Sequence, residues 1–254
     1  YVLPDLLDFD KGCVIFPEHF THVVDELVGQ FLADDHVGYD AQRLGVFFDT
    51  LVDAGRHSAF DVAGVVLNDL LQFSYDNKPI PQHAVVITFD DGYENFYQYA
   101  YPVLKKYQLP AMVYIVSGEL SGRSEWLKED GHQPQPLMSR EQIREVHANG
   151  IEIGSHSVTH PRLAQLSGDA CLQELQQSKK DLEELLGDTV DHICYPYGSF
   201  SEEVGQQAAK AGYHVGTTTV KGLALPDQNL LSLPRKAVSF NDGVLKTWKN
   251  IHRL

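Results

Sequence analysis

From residue 84 onward, short apolar runs alternate with amphipathic stretches, the pattern of βα units that feed a parallel sheet. Residues 84–89 form a nearly continuous apolar run, as expected of a strand buried on both faces, and 111–116 and 151–154 repeat it. Ser139 with Gln142 has the spacing of a capping box and Gly150 stands where a helix would end, which predicts a helix over 140–149. Leu172, Leu175, Leu182, Leu185 and Leu186 fall at helical spacing ahead of Gly187, predicting a second helix over 169–186 with a core-facing stripe. Ser199 with Glu202 reads as another capping box, opening a helix that Gly212 ends, and 214–218 resumes as strand. Residues 118–138 carry Gly122, Gly131, Pro134 and Pro136 around Trp126 and read as a long loop, of the kind that often borders a site. Residues 1–83 are less regular in texture.

A chain of 254 residues suits one α/β domain over 1–254 with a sizeable core. No apolar run approaches the roughly 20 residues that a membrane span requires. A formal net charge of -15 with no basic cluster argues against nucleic acid as a partner. Cys13, Cys171 and Cys194 are odd in number and far apart, which favours buried free thiols over a disulfide framework or zinc ribbon. The sequence opens at Tyr1 without a Met and with no basic-then-apolar leader, so either a leader or a longer N-terminus is expected ahead of it. Oligomeric state is left open.

Candidate chemistry gathers at the ends of the apolar runs. Asp90 and Asp91 close the run at 84–89, at the carboxyl end of a buried strand, where α/β folds place ligands and catalytic groups. Adjacent strand residues point to opposite faces, so the two carboxylates are not a facing glycosidase pair. Gly92 lets the chain turn so that one can bind metal while the other moves protons. On its own, Asp-Asp-Gly is also a common surface turn. His156 and His160 follow the run at 151–154 with i, i+4 spacing, which on one helical turn or in a tight loop brings two imidazoles to one ion, and Pro161 stiffens that turn. Two histidines and one aspartate leave coordination positions open for water and substrate. Tyr195-Pro196-Tyr197-Gly198 ends the run at 192–194; alone it is a plain turn, but it lies at the same sheet edge.

Thr88-Phe89-Asp90-Asp91-Gly92, His156-x-x-x-His160-Pro161 and Pro196-Tyr197-Gly198, in this order, resemble the first three motifs of the NodB-like polysaccharide deacetylases, carbohydrate esterase family 4. The likeness runs over about residues 84–238. It implies a distorted (β/α) barrel, Asp90 as catalytic base, Asp91, His156 and His160 as ligands of one divalent ion, and the backbone N–H of Tyr197 as an oxyanion donor. Zinc is the expected ion, with cobalt and nickel as alternatives. Many members carry an arginine two residues before the proline of the third motif, where this chain has Cys194. Residues 233–238 instead resemble the segment through which poly-β-1,6-N-acetylglucosamine deacetylases and related exopolysaccharide deacetylases supply that arginine, which assigns the role to Arg235. Tyr1-Val2-Leu3-Pro4 resembles the stretch immediately after the Tyr-His pair of that subgroup, so the resemblance places a general-acid histidine upstream of Tyr1, with His252 the lesser alternative.

The implied activity is removal of N-acetyl groups from N-acetylglucosamine units of an envelope or biofilm polysaccharide, with the periplasm or cell envelope the favoured compartment and the cytoplasm the alternative. Of Tyr93, Trp126, Tyr197 and Trp248, the aromatics able to stack on sugar faces, Trp126 and Tyr197 are expected to line the site. Two rival readings keep the same motifs: a deacetylase or deformylase of a small or lipid-linked amino sugar, and a non-catalytic carbohydrate-binding relative. Residues of the substrate cleft would separate the first, and absence of any general acid would favour the second.

Overall fold

The computed structural model describes residues 46–51, 84–129, 131–225 and 228–238. The described strands form a closed barrel in chain order, β1 (Val46–Leu51), β2 (Ala84–Phe89), β3 (Ala111–Ile115), β4 (Ile151–Ser155), β5 (His192–Cys194), β6 (Val215–Lys221) and β7 (Leu233–Val238). Neighbours from β2 to β7 run parallel, while β1 pairs antiparallel with both β2 and β7 and closes the ring. The parallel α/β arrangement expected from the alternating pattern and the barrel implied by the resemblance are therefore present, with an antiparallel closing strand that the irregular texture before residue 84 did not announce.

Four α-helices accompany the strands among the described residues: α1 (Tyr101–Tyr107), α2 (Arg140–Ala148), α3 (Gly168–Leu186) and α4 (Glu202–Ala211). Ser139 and Gln142 form the expected reciprocal capping box at α2. In α3 the side chain of Ser167 caps the first turn, Gly187 ends the helix in the left-handed region, and Leu175, Leu182 and Leu185 are buried as the leucine spacing implies. At α4 the cap is Ser201, whose side chain accepts from Val204 N, and not Ser199. The Ser199 hydroxyl accepts from Ala164 N instead, so a tertiary bond takes the oxygen that the local spacing assigned to a cap.

Strand parity sorts the side chains into two layers. Val85, Ile87 and Phe89 of β2 and Val113 and Ile115 of β3 join the large cluster beneath the helices, whereas Val86, Met112, Tyr114, Cys194, Val215 and Leu233 fill a smaller one. The second set is the barrel interior. Gly154 makes room there: a Cβ at this position would stand 2.5 Å from the Tyr114 ring. Thr88 and Asp90 continue the parity of Val86, and Arg235 that of Leu233, so these polar residues belong to the interior face.

Buried in β5, the His192 side chain is only 3% exposed, and burial pushes its pKa down to about 4 from the ordinary 6.5. The unfolded chain then binds more protons than the folded one between these values, so stability is complete above pH 6.5 and falls as pH drops toward 4. Urea unfolding at pH 7 and pH 4 should show a loss of up to about 3 kcal/mol from this group. H192Q should flatten that part of the profile; an unchanged slope would mean that His192 is not the acid-sensitive group.

Candidate active site

Backbone conformation marks the site first. Six described non-glycine residues have positive φ, and four of them, Asp91, Ser157, His160 and Tyr197, lie in the three segments singled out from the sequence. Such conformations cost free energy and persist where their surroundings hold them, which is common at functional sites. Asp91 (φ 73°) and Gly92 (φ 74°) turn the chain sharply at the end of β2. At Gly92 the positive φ favours glycine, and a Cβ would also come within 2.7 Å of Ile115 Cδ1, which would have to shift.

That turn separates the two carboxylates. Asp90 keeps the inward parity of its strand and meets Arg235, whose Nη1 donates to Oδ1 at 2.8 Å and Nη2 to Oδ2 at 2.9 Å. Asp91, which strand parity alone would send outward, is swung back so that its Oδ1 stands 3.2 Å from Nε2 of His156 and 3.2 Å from Nε2 of His160. The histidines sit in a tight loop after β4 rather than on a helical turn. His156 is placed by its backbone N–H on Ile115 O, and His160 N donates to the Ser157 hydroxyl.

Arg235 is 1% exposed, yet every N–H it carries has an acceptor. Nε donates to Thr218 O, Nη1 to Thr88 Oγ1 and Asp90, and Nη2 to Asp90 and Cys194 Sγ at 3.1 Å. A buried guanidinium needs this full complement, since an unpaired buried charge is strongly unfavourable. Sequence reasoning misses the part that Thr88 and Cys194 play here. Their inward parity with Asp90 is the signal, but it becomes readable only once β2 and β7 are known to flank β1 in a closed barrel.

The donor set fits a divalent ion. One ligand atom from each of Asp91, His156 and His160 lies within 4.8 Å of the others. Donors held tetrahedrally at about 2.0–2.1 Å from an ion stand about 3.3 Å apart, and the two 3.2 Å separations match that spacing. The Nδ1 of His156 is 2.7 Å from Cys194 O, the usual outer support of a metal-binding imidazole; with an ion bound, donation there would leave the Nε2 lone pair for the ion. Burial on its own would raise the Asp91 pKa, but hydrogen bonds and charge from His156 and His160 outweigh it and hold the carboxyl well below the usual range, so it is ionised as a ligand must be.

Around this centre, Trp126 of the 118–138 loop stacks on His160 with ring centroids 4.5 Å apart, and Tyr197 meets the same imidazole edge-on at 4.6 Å. Trp126 is 7% exposed and packs with Tyr93, Val116, Leu127 and Leu137, so it supports the histidine rather than offering a face to a sugar. Tyr197 retains partial exposure and carries the Arg162 guanidinium 3.9 Å above its ring. Trp248, Cys13 and His252, and any histidine upstream of Tyr1, lie outside the described residues. Cys171 and Cys194 are buried and free.

The fold and motifs agree with known proteins. The family profile described as Polysaccharide deacetylase matches residues 77–216. YxkH of Bacillus subtilis (strain 168), a protein assigned to the polysaccharide deacetylases, is 37% identical over 169 residues, covering 66% of this chain and 56% of that protein. The poly-beta-1,6-N-acetyl-D-glucosamine N-deacetylase of Staphylococcus aureus (strain MSSA476) is 26% identical over 203 residues, 76% of this chain and 67% of the other. The chain thus spans little more than half to two thirds of the relatives it matches. Among solved structures, Streptococcus pyogenes deacetylase PplD in complex with acetate superposes with a TM-score of 0.63 at 23% identity, over 98% of this chain and 94% of that one. IcaB from Ammonifex degensii superposes with a TM-score of 0.63 at 19% identity, over 81% and 98%, and both likenesses support the barrel fold. With the profile covering more than half of its length, the chain belongs to the polysaccharide deacetylase family.

Proposed function

We propose that this chain is the catalytic part of a metal-dependent hydrolase that removes N-acetyl groups from N-acetylglucosamine units of an envelope or biofilm polysaccharide. The observation that carries the reading is the division of the two neighbouring carboxylates: Asp91 points into the His156–His160 pair while Asp90 is held by Arg235. The names of the relatives, poly-beta-1,6-N-acetyl-D-glucosamine N-deacetylase among them, supply the substrate class.

Asp91, His156 and His160 would hold the ion, zinc by donor type with cobalt or nickel as substitutes. When bound, such an ion supplies a Lewis acid that polarises the acetamide carbonyl and lowers the pKa of a water from 15.7 toward about 7. Asp90 accepts the proton of the attacking water, in an orientation set by the two-pronged bond from Arg235. As the carbonyl carbon becomes tetrahedral, its oxyanion accepts from the backbone N–H of Tyr197, a kind of contact whose removal typically costs about 3 to 4 kcal/mol of transition-state stabilisation. The carbon–nitrogen bond then breaks, the amine nitrogen takes a proton, and acetate and a free glucosamine unit leave. The donor of that proton is assigned to the histidine expected upstream of Tyr1.

The test uses the full natural protein that contains this chain. Incubated with a β-1,6-linked N-acetylglucosamine oligomer, it should release acetate, lose that activity on chelation and regain it with zinc or cobalt. Acetate release that persists in protein shown by elemental analysis to be metal-free would sink the metal-dependent reading. A metal-loaded protein active on a monosaccharide or lipid-linked amino sugar but inert on the oligomer would sink the polysaccharide assignment.

A further inference from the structure

Three residues separate His156 from His160, and their backbone N–H groups are all spent on side chains. Ser157 N donates to Ser155 Oγ at 3.2 Å, and Val158 N and Thr159 N donate to one oxygen of Glu174 at 2.9 and 3.0 Å. The second Glu174 oxygen accepts from Thr159 Oγ1 at 2.9 Å. Glu174 therefore grips the middle of the loop through both carboxylate oxygens from α3, 15 and 16 residues away in sequence. One helical turn further along α3, on the same face, Ser178 Oγ lies 2.7 Å from Ser155 Oγ, and Ser155 directly precedes His156. On the opposite side, Ser117 N and Gly118 N donate to Ser157 O and Val158 O.

The loop needs this grip. Ser157 (φ 65°) and His160 (φ 59°) lie in the left-handed region, which an L residue with a side chain adopts only when its surroundings enforce it. Charge-assisted bonds from backbone N–H groups to a carboxylate are stronger than neutral ones, and the two that end on Glu174 fix the peptides between the imidazoles. Among the described residues the Nδ1 of His160 is buried with no hydrogen-bond partner, so that ring depends on its backbone, on Trp126, on Tyr197 and on Asp91 at its Nε2 for orientation.

We infer that Glu174, seconded by Ser178, is a positioning residue of the candidate metal centre: it sets the loop geometry that points His156 and His160 at a common ion with Asp91. The inference rests on the metal-binding reading proposed above, and the experiment separates the two. The parent protein, E174A, E174Q and H156A are titrated with Co2+ against a chromophoric chelator, the visible absorption band of bound cobalt is recorded, and metal-free thermal unfolding is followed in parallel. The parent should bind one equivalent, and H156A should lose tight binding. E174A should bind about 10- to 100-fold more weakly, the range typical of outer partners of metal ligands, with an altered cobalt band. E174Q should recover most of that loss, because its amide oxygen can accept from both backbone N–H groups while its NH2 donates to the Thr159 hydroxyl. Equal Co2+ affinity in E174A and the parent would overturn the inference, as would E174Q binding no better than E174A. A parent that binds no ion would instead defeat the metal reading. Should E174A fail to fold, T159V, which deletes only the hydroxyl contact, takes its place: weaker binding with an altered band is expected, and parent-like binding with an unaltered band overturns the proposal.

Discussion

Replacing Asp90 with asparagine should lower the rate of acetate release by about 10² to 10⁴-fold, the contribution usual for a general base, while the protein still binds one divalent ion. Asp91→Asn should do the reverse at the centre. It removes a charged ligand and should weaken metal affinity by more than the about 10- to 100-fold typical of an outer partner. The contrast comes from geometry: the Asp91 oxygen that stands 3.2 Å from both imidazoles is a shared donor, whereas both Asp90 oxygens are engaged by Arg235. A residue at a strand end would ordinarily be replaced with little effect on folding. Asp90 is different, because an asparagine turns an NH2 toward a guanidinium N–H and leaves a buried donor unpaired. A loss of roughly 1 to 3 kcal/mol in unfolding free energy is expected alongside the loss of rate. Metal content measured on both variants decides the matter: equal loss of metal from each would remove the division of labour.

How far the sequence carries these conclusions differs from residue to residue, for physical reasons. The strands from Ala84 to Val215 and the helices capped by Ser139 or ended by Gly187 and Gly212 are legible because each is specified by neighbours within about four positions. The candidate metal ligands are legible because a strand end and an i, i+4 histidine pair are local signals, although that spacing also suits a helical turn and the structure has a loop with two left-handed residues. Ser199 has the spacing of a cap but is not one, because the bond that claims its hydroxyl comes from Ala164, 35 residues away. The same distance effect hides the site's support. Glu174 lies on a helix that also carries Lys179, Lys180, Glu183 and Glu184, and nothing local distinguishes it from a solvated carboxylate. Arg235 reaches Asp90 across 145 residues of sequence, and only closure of the barrel by β1 fixes which strands face one another. Residue parity along β2 and β7 places both side chains inside, but parity gives a face and not a partner. The family resemblance names Arg235 where elementary spacing cannot.

Replacing Arg235 with methionine should produce the largest loss of stability among these substitutions, and the reason lies in what it leaves behind. Five N–H donors vanish from a side chain that is 1% exposed, and the Asp90 carboxylate, Thr88 Oγ1, Thr218 O and Cys194 Sγ each lose a partner. Breaking a buried ion pair by removing one member typically costs about 3 to 5 kcal/mol, and the 15% exposure of Asp90 allows water to relieve part of that, so the lower end is expected. Turnover should fall by about 10²-fold, since a base free to swing is misplaced by an ångström or more. Arg235→Lys separates the two effects. A lysine keeps a positive charge in the barrel but cannot present two parallel N–H groups to both carboxylate oxygens, so it should recover stability more than rate. The double variant C194R/R235M makes a sharper demand. Cys194 Sγ stands 3.1 Å from Arg235 Nη2, so an arginine side chain rooted at 194 on β5 enters the same interior space and can reach Asp90 from there. It should restore at least about tenfold of the rate lost in R235M, since the base regains an orienting partner. Deacetylation kinetics and urea unfolding on the three variants check this, and a lysine variant with parental turnover would refute the claim that the two-pronged bond orients the base.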